Sequence, residues 1–101
     1  MQVLCRKNND SVLARLSGEL DHHTAPQARE KLEEALKDPS VLALTVDLSE
    51  LTFMDSSGIG VLLGRYKTLC SRGGALFVKD PQPQVERVMR TSGLYSVVKQ
   101  A

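Results

Sequence analysis

Residues 41–48 read Val-Leu-Ala-Leu-Thr-Val-Asp-Leu, and only Thr45 and Asp47 interrupt this apolar run. A strand with one face in water alternates apolar and polar residues, whereas a strand covered on both faces is apolar almost throughout. We therefore expect residues 41–48 to form an interior strand of a sheet that is covered on both of its faces.

An amphipathic helix is predicted before this strand. Its apolar side chains recur at helical spacing, at Ala25, Ala28, Leu32, Ala35 and Leu36. Thr24 followed by Gln27 is a capping-box pattern at the start of the helix, and Pro26 lies in its first turn. Pro39 prevents the helix from continuing.

The N-terminal segment is predicted to form a β-hairpin. Residues 2–6 and 12–17 are suited to strands, and the residues between them include Lys7, Asn8, Asn9 and Asp10. Asn and Asp tolerate the left-handed backbone conformation of a tight turn.

A second helix is predicted after a short segment at residues 51–55. Its apolar side chains again recur at helical spacing, at Ile59, Leu62, Leu63, Tyr66, Leu69 and Cys70. Gly73 and Gly74 follow the last of them and mark the end of the helix.

The remaining segments repeat the alternation of strand and helix. Residues 75–78 are suited to a strand, and residues 85–89 to a third helix that ends near Gly93. Residues 94–98 fit either a last strand or a short helix. The order β-β-α-β-α-β-α over residues 1–101 predicts one α/β domain with a mixed, mostly parallel sheet and crossover helices.

The amino-acid composition argues against several classes of function. Thirteen basic and twelve acidic residues give a net charge of +1, and aromatic residues make up only 4%. Neither a nucleic-acid partner nor an anionic membrane is expected from these values. The two cysteines form no C-x-x-C pair and no apolar run approaches 18 residues, so we expect a cytoplasmic protein without disulfides or membrane spans.

The stretch Phe53-Met54-Asp55-Ser56-Ser57-Gly58-Ile59-Gly60 places a carboxylate and two hydroxyls between a strand and a helix start. A helix N-terminus presents free N–H groups and a partial positive charge, so an anion is stable at this position. The simpler interpretation is that Asp55, Ser56 and Ser57 only cap the helix, because Asp and Ser are favoured there.

Three glycines in the second helix call for a reason beyond capping. Gly58, Gly60 and Gly64 each cost roughly 1 kcal/mol relative to Ala in a helix interior. Gly60 and Gly64 share one face, with Arg65 and Lys67 nearby, whereas the predicted core-facing side chains lie on another side. We expect this face to admit a close-fitting partner; tight packing on the protein's own sheet is the alternative.

Two motifs carry a family resemblance. GELDHHTA at residues 18–25 and FMDSSGIGVLLGRYK at residues 53–67 resemble the STAS family of anti-sigma factor antagonists, and within it the sporulation antagonists of the anti-sigma F factor. The resemblance covers essentially the whole chain and implies the STAS fold. Members of the family usually have a further C-terminal helix after the position of Ala101.

The resemblance implies a phosphorylation switch. Ser56, the first serine after Asp55 of the motif, matches the residue that the anti-sigma factor phosphorylates, acting as a serine kinase with ATP and magnesium. The unmodified antagonist binds this kinase and frees the sigma factor, and a metal-dependent serine phosphatase restores the unmodified form. The residues expected at the partner surface are Asp21, His22, His23, Asp55, Ser57, Gly58, Ile59, Gly60, Gly64 and Arg65.

Other chemistries find little support in the sequence. His22 and His23 are adjacent, so their side chains are expected to point apart, and no Cys or carboxylate stands at zinc-site spacing. The nucleophile elbow G-x-S-x-G is absent, and Leu63 occupies the third glycine position of G-x-G-x-x-G.

We therefore expect neither an enzyme nor a bound cofactor or metal. A STAS module that senses a small ligand or nucleotide is the alternative function. Both sporulation and general stress circuits use this fold, so either kind of sigma factor is compatible with the sequence.

Overall fold

A computed structural model describes residues 1–101 and has the predicted order of elements, followed by one further short strand. The elements are β1 (Gln2–Asn8), β2 (Ser11–Leu20), α1 (Ala25–Ala35), β3 (Ala43–Met54), α2 (Ser56–Ser71), β4 (Ala75–Lys79), α3 (Pro83–Thr91), a 3₁₀ helix (Leu94–Ser96) and β5 (Lys99–Gln100). None of the helices has the length and apolar character needed to span a bilayer.

The five strands form one sheet in the order β1-β2-β3-β4-β5. β1 is antiparallel to β2, and all other neighbouring strands are parallel. The predicted mixed, mostly parallel sheet is therefore confirmed. Because every parallel connection moves one strand further in the same direction, right-handed crossovers place α1 and α2 on the same face of the sheet.

The hairpin turn is tighter than predicted. Asn8 pairs with Ser11, so Lys7 and Asn8 belong to β1 and only two residues form the turn. Asn9, the first of them, has φ of 60°, a left-handed conformation that Asn adopts more readily than most residues.

β3 lies at the centre of the core, but helices cover only one of its faces. Leu44 and Leu48 point to the helix side and are fully buried. On the other face Thr45 is only half-buried, and Asp47 accepts a hydrogen bond from Arg15 Nε at 3.2 Å. β3 is an interior strand of the sheet, as expected. The expected cover on both faces is present as helices on one face only, and on the other face the ion pair with Arg15 shields Asp47.

β3 also continues to Met54, so the separate short segment predicted at residues 51–55 does not exist. β4 pairs with β3 only up to Asp47, and α3 lies beside the rest of β3. The side-chain amide of Gln84 accepts from the Met54 N–H at 3.0 Å and donates to the Met54 carbonyl at 3.2 Å. Gln84 thus replaces the missing neighbouring strand and fixes α3 against the end of β3.

Of the two structures that the sequence allowed for residues 94–98, the short helix is present, and the last strand begins only at Lys99. Gly93 has φ of 79° and ends α3, after which the 3₁₀ helix leads into the two residues of β5. The Tyr95 hydroxyl donates to Glu86, which also accepts from Arg90. Burial and the nearby Glu86 carboxylate raise the pKa of Tyr95, so its hydroxyl remains a donor that holds the 3₁₀ helix against α3.

Candidate functional site

The N-terminus of α2 is capped by Asp55 alone. Asp55 has extended backbone angles, and its Oδ1 accepts the N–H of Ser57 at 2.8 Å. Ser56 and Ser57 are therefore the first two residues of the helix rather than its caps. Neither serine hydroxyl is used in a hydrogen bond within the chain, which leaves both available for other chemistry.

The junction between β3 and α2 is held from two sides. The N–H of Asp55 donates to the carbonyl of Leu20 at the end of β2, at 3.3 Å. One residue earlier, Met54 is bonded to Gln84 of α3. Because the parallel strands β2 and β3 end at the same edge of the sheet, the loop after β2 lies beside the start of α2.

That loop, residues 21–24, is organised by Asp21. Its Oδ1 accepts the backbone N–H groups of His23 at 2.9 Å and Thr24 at 3.1 Å. The hydrogen bond from Thr24 is the main cause of a lowered pKa for Asp21, so the carboxylate is charged at neutral pH. Asp21 therefore has a structural role in shaping the entry to α1.

The capping box predicted for α1 is wrong, although Thr24 is the N-cap residue as expected. The Thr24 hydroxyl donates to the carbonyl of Glu19 at 2.8 Å, so it stabilises the loop rather than the first turn. Gln27 donates to the carbonyl of Met1 at 3.3 Å instead of bonding to Thr24. The sequence pattern located the boundary correctly but not the hydrogen bonds that form it.

The two histidines of the loop lie against each other. Their ring centroids are 4.1 Å apart with the planes tilted by 36°, so the expectation that the side chains point apart is wrong. Both residues are exposed. His22 is the member of the pair that lies next to α2, where it lines a groove.

Two surface grooves run along opposite sides of the start of α2. The α1–α2 groove is lined by His22, Ala25, Pro26, Arg29, Ser57, Gly60 and Val61. The α2–α3 groove is lined by Ser56, Ile59, Arg87, Val88, Thr91 and Ser92. Successive helical residues point about 100° apart, so the two neighbouring serines lie on different sides of the helix and in different grooves.

The glycines of α2 have two different structural roles. An alanine Cβ at Gly60 or Gly64 would have no atom within 4 Å, so both glycines leave backbone open at the surface. At Gly58 the same Cβ would lie 2.7 Å from Met54 Cγ and 2.9 Å from Leu20 Cδ2. Gly58 therefore lies beneath the surface, and the close approach of α2 to the sheet explains it.

Arg65 is buried, not on the exposed glycine face as predicted. It is 7% exposed, and its Nε and Nη1 atoms have no hydrogen-bond partner within the chain. Burial lowers the pKa of its guanidinium. The side of α2 that faces the core is thus rotated about the helix axis from the predicted side. The buried residues of α2 are Gly58, Ile59, Val61, Leu62, Arg65 and Leu69.

The two grooves are completed by residues that lie outside the sequence motifs. Arg29 comes from α1, and Arg87, Val88 and Thr91 come from α3. Arg87 and Thr91 are four residues apart, so they lie on one face of α3. The helical spacing in the sequence indicates that Arg87 and Thr91 share a face, but only the tertiary structure shows that this face lies next to Ser56.

Comparison with known proteins gives the family. Residues 2–100 match the STAS domain model. An anti-sigma F factor antagonist of Paenibacillus polymyxa is 40% identical over 98 residues, which is 97% of this chain and 84% of that protein. The chain therefore belongs to the STAS family and, within it, to the anti-sigma factor antagonists.

Solved structures of one such antagonist have the same fold. The unphosphorylated form of SpoIIAA is 35% identical, with a TM-score of 0.85 over 99% of this chain and 88% of SpoIIAA. The phosphorylated form of SpoIIAA from Bacillus is 34% identical, with a TM-score of 0.77 over 99% of this chain and 91% of that chain.

Proposed function

We propose that this chain is a phosphorylation-controlled antagonist of an anti-sigma factor. Its unphosphorylated form binds an anti-sigma factor that is a serine kinase, and the sigma factor is released. Phosphorylation of Ser56 ends this binding, and a serine phosphatase restores it. The observation that carries the proposal is the hydroxyl of Ser56, which is exposed, unbonded and placed on the first turn of α2 because Asp55 provides the cap.

The names of the relatives support a proposal for the identity of the partner. The Paenibacillus polymyxa relative is named as an anti-sigma F factor antagonist, and SpoIIAA has been solved in both phosphorylated and unphosphorylated forms. We infer that the partner here is also an anti-sigma F factor and that the circuit is the sporulation partner switch. Its components act on transcription, so the proposed location is the cytoplasm.

The proposed partner surface is centred on the exposed part of α2. Gly60 and Gly64 provide open backbone on its ridge, and the two grooves lie on either side. The loop that carries His22 extends this surface beyond the start of α2. A partner helix or loop can approach such a surface closely, since no Cβ stands at either glycine.

The chemistry takes place on this chain but is performed by its partners. The Ser56 Oγ attacks the γ-phosphorus of ATP held by the kinase, the bond to the bridging oxygen breaks, and ADP leaves. The hydroxyl proton passes to a base of the kinase. In the dephosphorylation step, water at the phosphatase hydrolyses the phosphoester, which returns the serine hydroxyl and releases inorganic phosphate. The chain is thus a substrate in both steps rather than an enzyme.

Phosphorylation changes the charge of the partner surface but has little effect on the fold. The phosphate adds about −1.5 to −2 charges beside Asp55, on a chain whose net charge is +1. A surface that fits the neutral serine therefore meets the phosphorylated form with unfavourable charge and extra volume. Within the protein, the N–H groups and dipole at the start of α2 stabilise an anion by roughly 0.3 to 1 kcal/mol, which offsets repulsion from Asp55.

The test is phosphorylation by the anti-sigma kinase of the same organism, followed by mass spectrometry. Ser56→Ala should bind the kinase and remain bound in the presence of ATP, whereas Ser57→Ala should still accept one phosphate. Ser56→Asp should bind weakly while keeping a native circular dichroism spectrum. Phosphate on Ser57, or tight kinase binding by Ser56→Asp, would contradict the proposal. Calorimetry with nucleotide and the isolated chain tests the alternative ligand-sensing function.

A further inference from the structure

The α2–α3 groove contains a charged side chain that the fold does not use. Arg87 is exposed and takes part in none of the ion pairs of the chain, which join Lys7 to Asp38, Arg15 to Asp47, Arg29 to Glu33 and Arg90 to Glu86. Arg87 is also the only charged residue that lines this groove. Its guanidinium donors are therefore available to a ligand.

The position of Arg87 relative to Ser56 is set by the backbone. Gln84 anchors the first turn of α3 to Met54, two residues before Ser56. Arg87 follows Gln84 by three residues and so lies one helical turn further along α3. Ser56 and Arg87 consequently line the same groove from opposite sides, one from each helix.

The lining of the groove is suited to a phosphate group. Ile59 and Val88 provide apolar surface, and Thr91 and Ser92 provide hydroxyls. A guanidinium matches the oxygens of a phosphate with two parallel N–H donors. The carboxylate of Asp55, engaged with the Ser57 N–H, is the nearest negative charge in sequence and repels the phosphate from the cap.

We propose that Arg87 holds the phosphate of phosphoserine 56 within the α2–α3 groove. The inference rests on the proposed function, because it takes Ser56 as the residue that carries the phosphate. In the unmodified protein the groove is open and its lining is available to the partner. In the phosphorylated protein the phosphate and the Arg87 side chain occupy the groove, so the switch removes a contact surface as well as changing its charge.

The experiment measures the second pKa of the phosphate by ³¹P NMR, on protein with phosphoserine inserted at position 56 during translation. This pKa is about 6 for a free phosphoserine. The charged groups that bear on it are Asp55, which raises it and is present in every variant, and Arg87, which lowers it. Arg87→Ala should raise the pKa by about half a unit or more, since an adjacent opposite charge commonly shifts a pKa by 1 to 3 units when it is close.

Two matched controls separate this contact from a general effect of charge. Arg90→Ala removes a cation one turn or less away on α3, but one that is already paired with Glu86, and should leave the phosphate pKa unchanged. Phosphoserine inserted at position 57 faces the α1–α2 groove and should not respond to Arg87→Ala. Arg87→Lys should retain part of the shift, because a lysine keeps the charge but not the planar pair of donors.

An unchanged phosphate pKa in Arg87→Ala, or an equal change in Arg87→Ala and Arg90→Ala, would overturn the inference. Arg87 is exposed, so its replacement leaves the core intact, and thermal melting of each variant checks this. The result is independent of the proposed function, because phosphoserine is inserted without the kinase. A failure of the kinase to modify Ser56 would contradict the function while leaving the measured contact unaffected.

Discussion

The two grooves beside α2 start from adjacent serines but differ in chemistry. The α1–α2 groove contains Arg29, His22 and the bare backbone of Gly60, whereas the α2–α3 groove combines apolar side chains with hydroxyls and the guanidinium of Arg87. Arg29 already has a partner in Glu33 at 3.9 Å, whereas the cation of the other groove is unpaired. Ser56 and Ser57 look equivalent in the sequence but have different surroundings in the structure. This difference is consistent with the proposal that Ser56 rather than Ser57 is phosphorylated.

The grooves also differ in what fixes their width. α1 is joined to the start of α2 through packing between the helices and through the loop after Leu20, whose carbonyl accepts the Asp55 N–H at 3.3 Å. α3 is bonded to the strand that leads into α2, through Gln84 and Met54. One groove is thus bordered by a main-chain hydrogen bond to the β3–α2 junction, and the other by a pair of side-chain hydrogen bonds to it.

The largest effect is expected from filling the glycine ridge. Gly60→Leu should weaken binding to the anti-sigma factor by tenfold or more, about 1.4 kcal/mol, because the new side chain occupies the space through which a partner reaches the backbone. The melting temperature should not fall, since a Cβ at this position has no neighbour within 4 Å. Gly64→Leu should behave in the same way. Binding is measured by calorimetry and stability by thermal melting.

Ser71→Leu is the matched control for this prediction. Ser71 is exposed and lies about three turns beyond Gly60 on the same side of α2. Its replacement should leave binding unchanged. If Gly60→Leu binds like the parent, or if Ser71→Leu weakens binding as much, the partner does not contact α2 at Gly60. The proposed partner surface between the two grooves would then be wrong.

A smaller effect, with opposite signs at two positions, is expected in the stability of α2. Gly58→Ala places a Cβ 2.7 Å from Met54 Cγ, and such overpacking costs about 1 to 3 kcal/mol, more than the helix propensity of alanine returns. In Gly60→Ala the new Cβ has no neighbour within 4 Å, so the free energy of unfolding should increase by up to about 1 kcal/mol. Urea unfolding of both variants measures the difference. Equal effects would show that α2 does not approach the sheet at Gly58 as described.

Local sequence patterns predicted much of the fold but not the surfaces between its elements. The apolar run at residues 41–48, the helical spacing before it and the Asp-Ser junction depend on near neighbours in the chain, so they located β3, α1 and the start of α2. The continuation of β3 to Met54 was missed, because residues 50–54 are held in the sheet by pairing with the distant strand β2, up to Leu20 opposite Met54, and this pairing leaves no pattern among near neighbours in the chain.

The candidate site, like the fold, was predictable only where it depends on near neighbours in the chain. Ser56 and Asp55 could be singled out because their roles depend on a helix start, and Gly60 because of its cost in a helix. Arg65 was assigned to the partner surface because it lies near Gly60 and Gly64 in the second helix, whereas the structure buries its side chain. Arg87 could not be found from the motif, since only the packing of α3 against β3 brings it next to Ser56.

The smallest effect is expected from the loop beside the α1–α2 groove, where Asp21 accepts two backbone N–H groups. Its pKa is lowered, so its contribution to stability is complete above the ordinary value of about 3.9 and is lost as the pH falls through the lower value of the folded state. Asp21→Asn keeps an acceptor oxygen but loses the charge, so it should melt slightly below the parent at pH 7, and the difference should shrink below about pH 4. Glu30→Gln, on the exposed side of α1, should melt like the parent at neutral pH. If Asp21→Asn melts like the parent at every pH while binding of the anti-sigma factor falls, the carboxylate contacts the partner rather than shaping the loop.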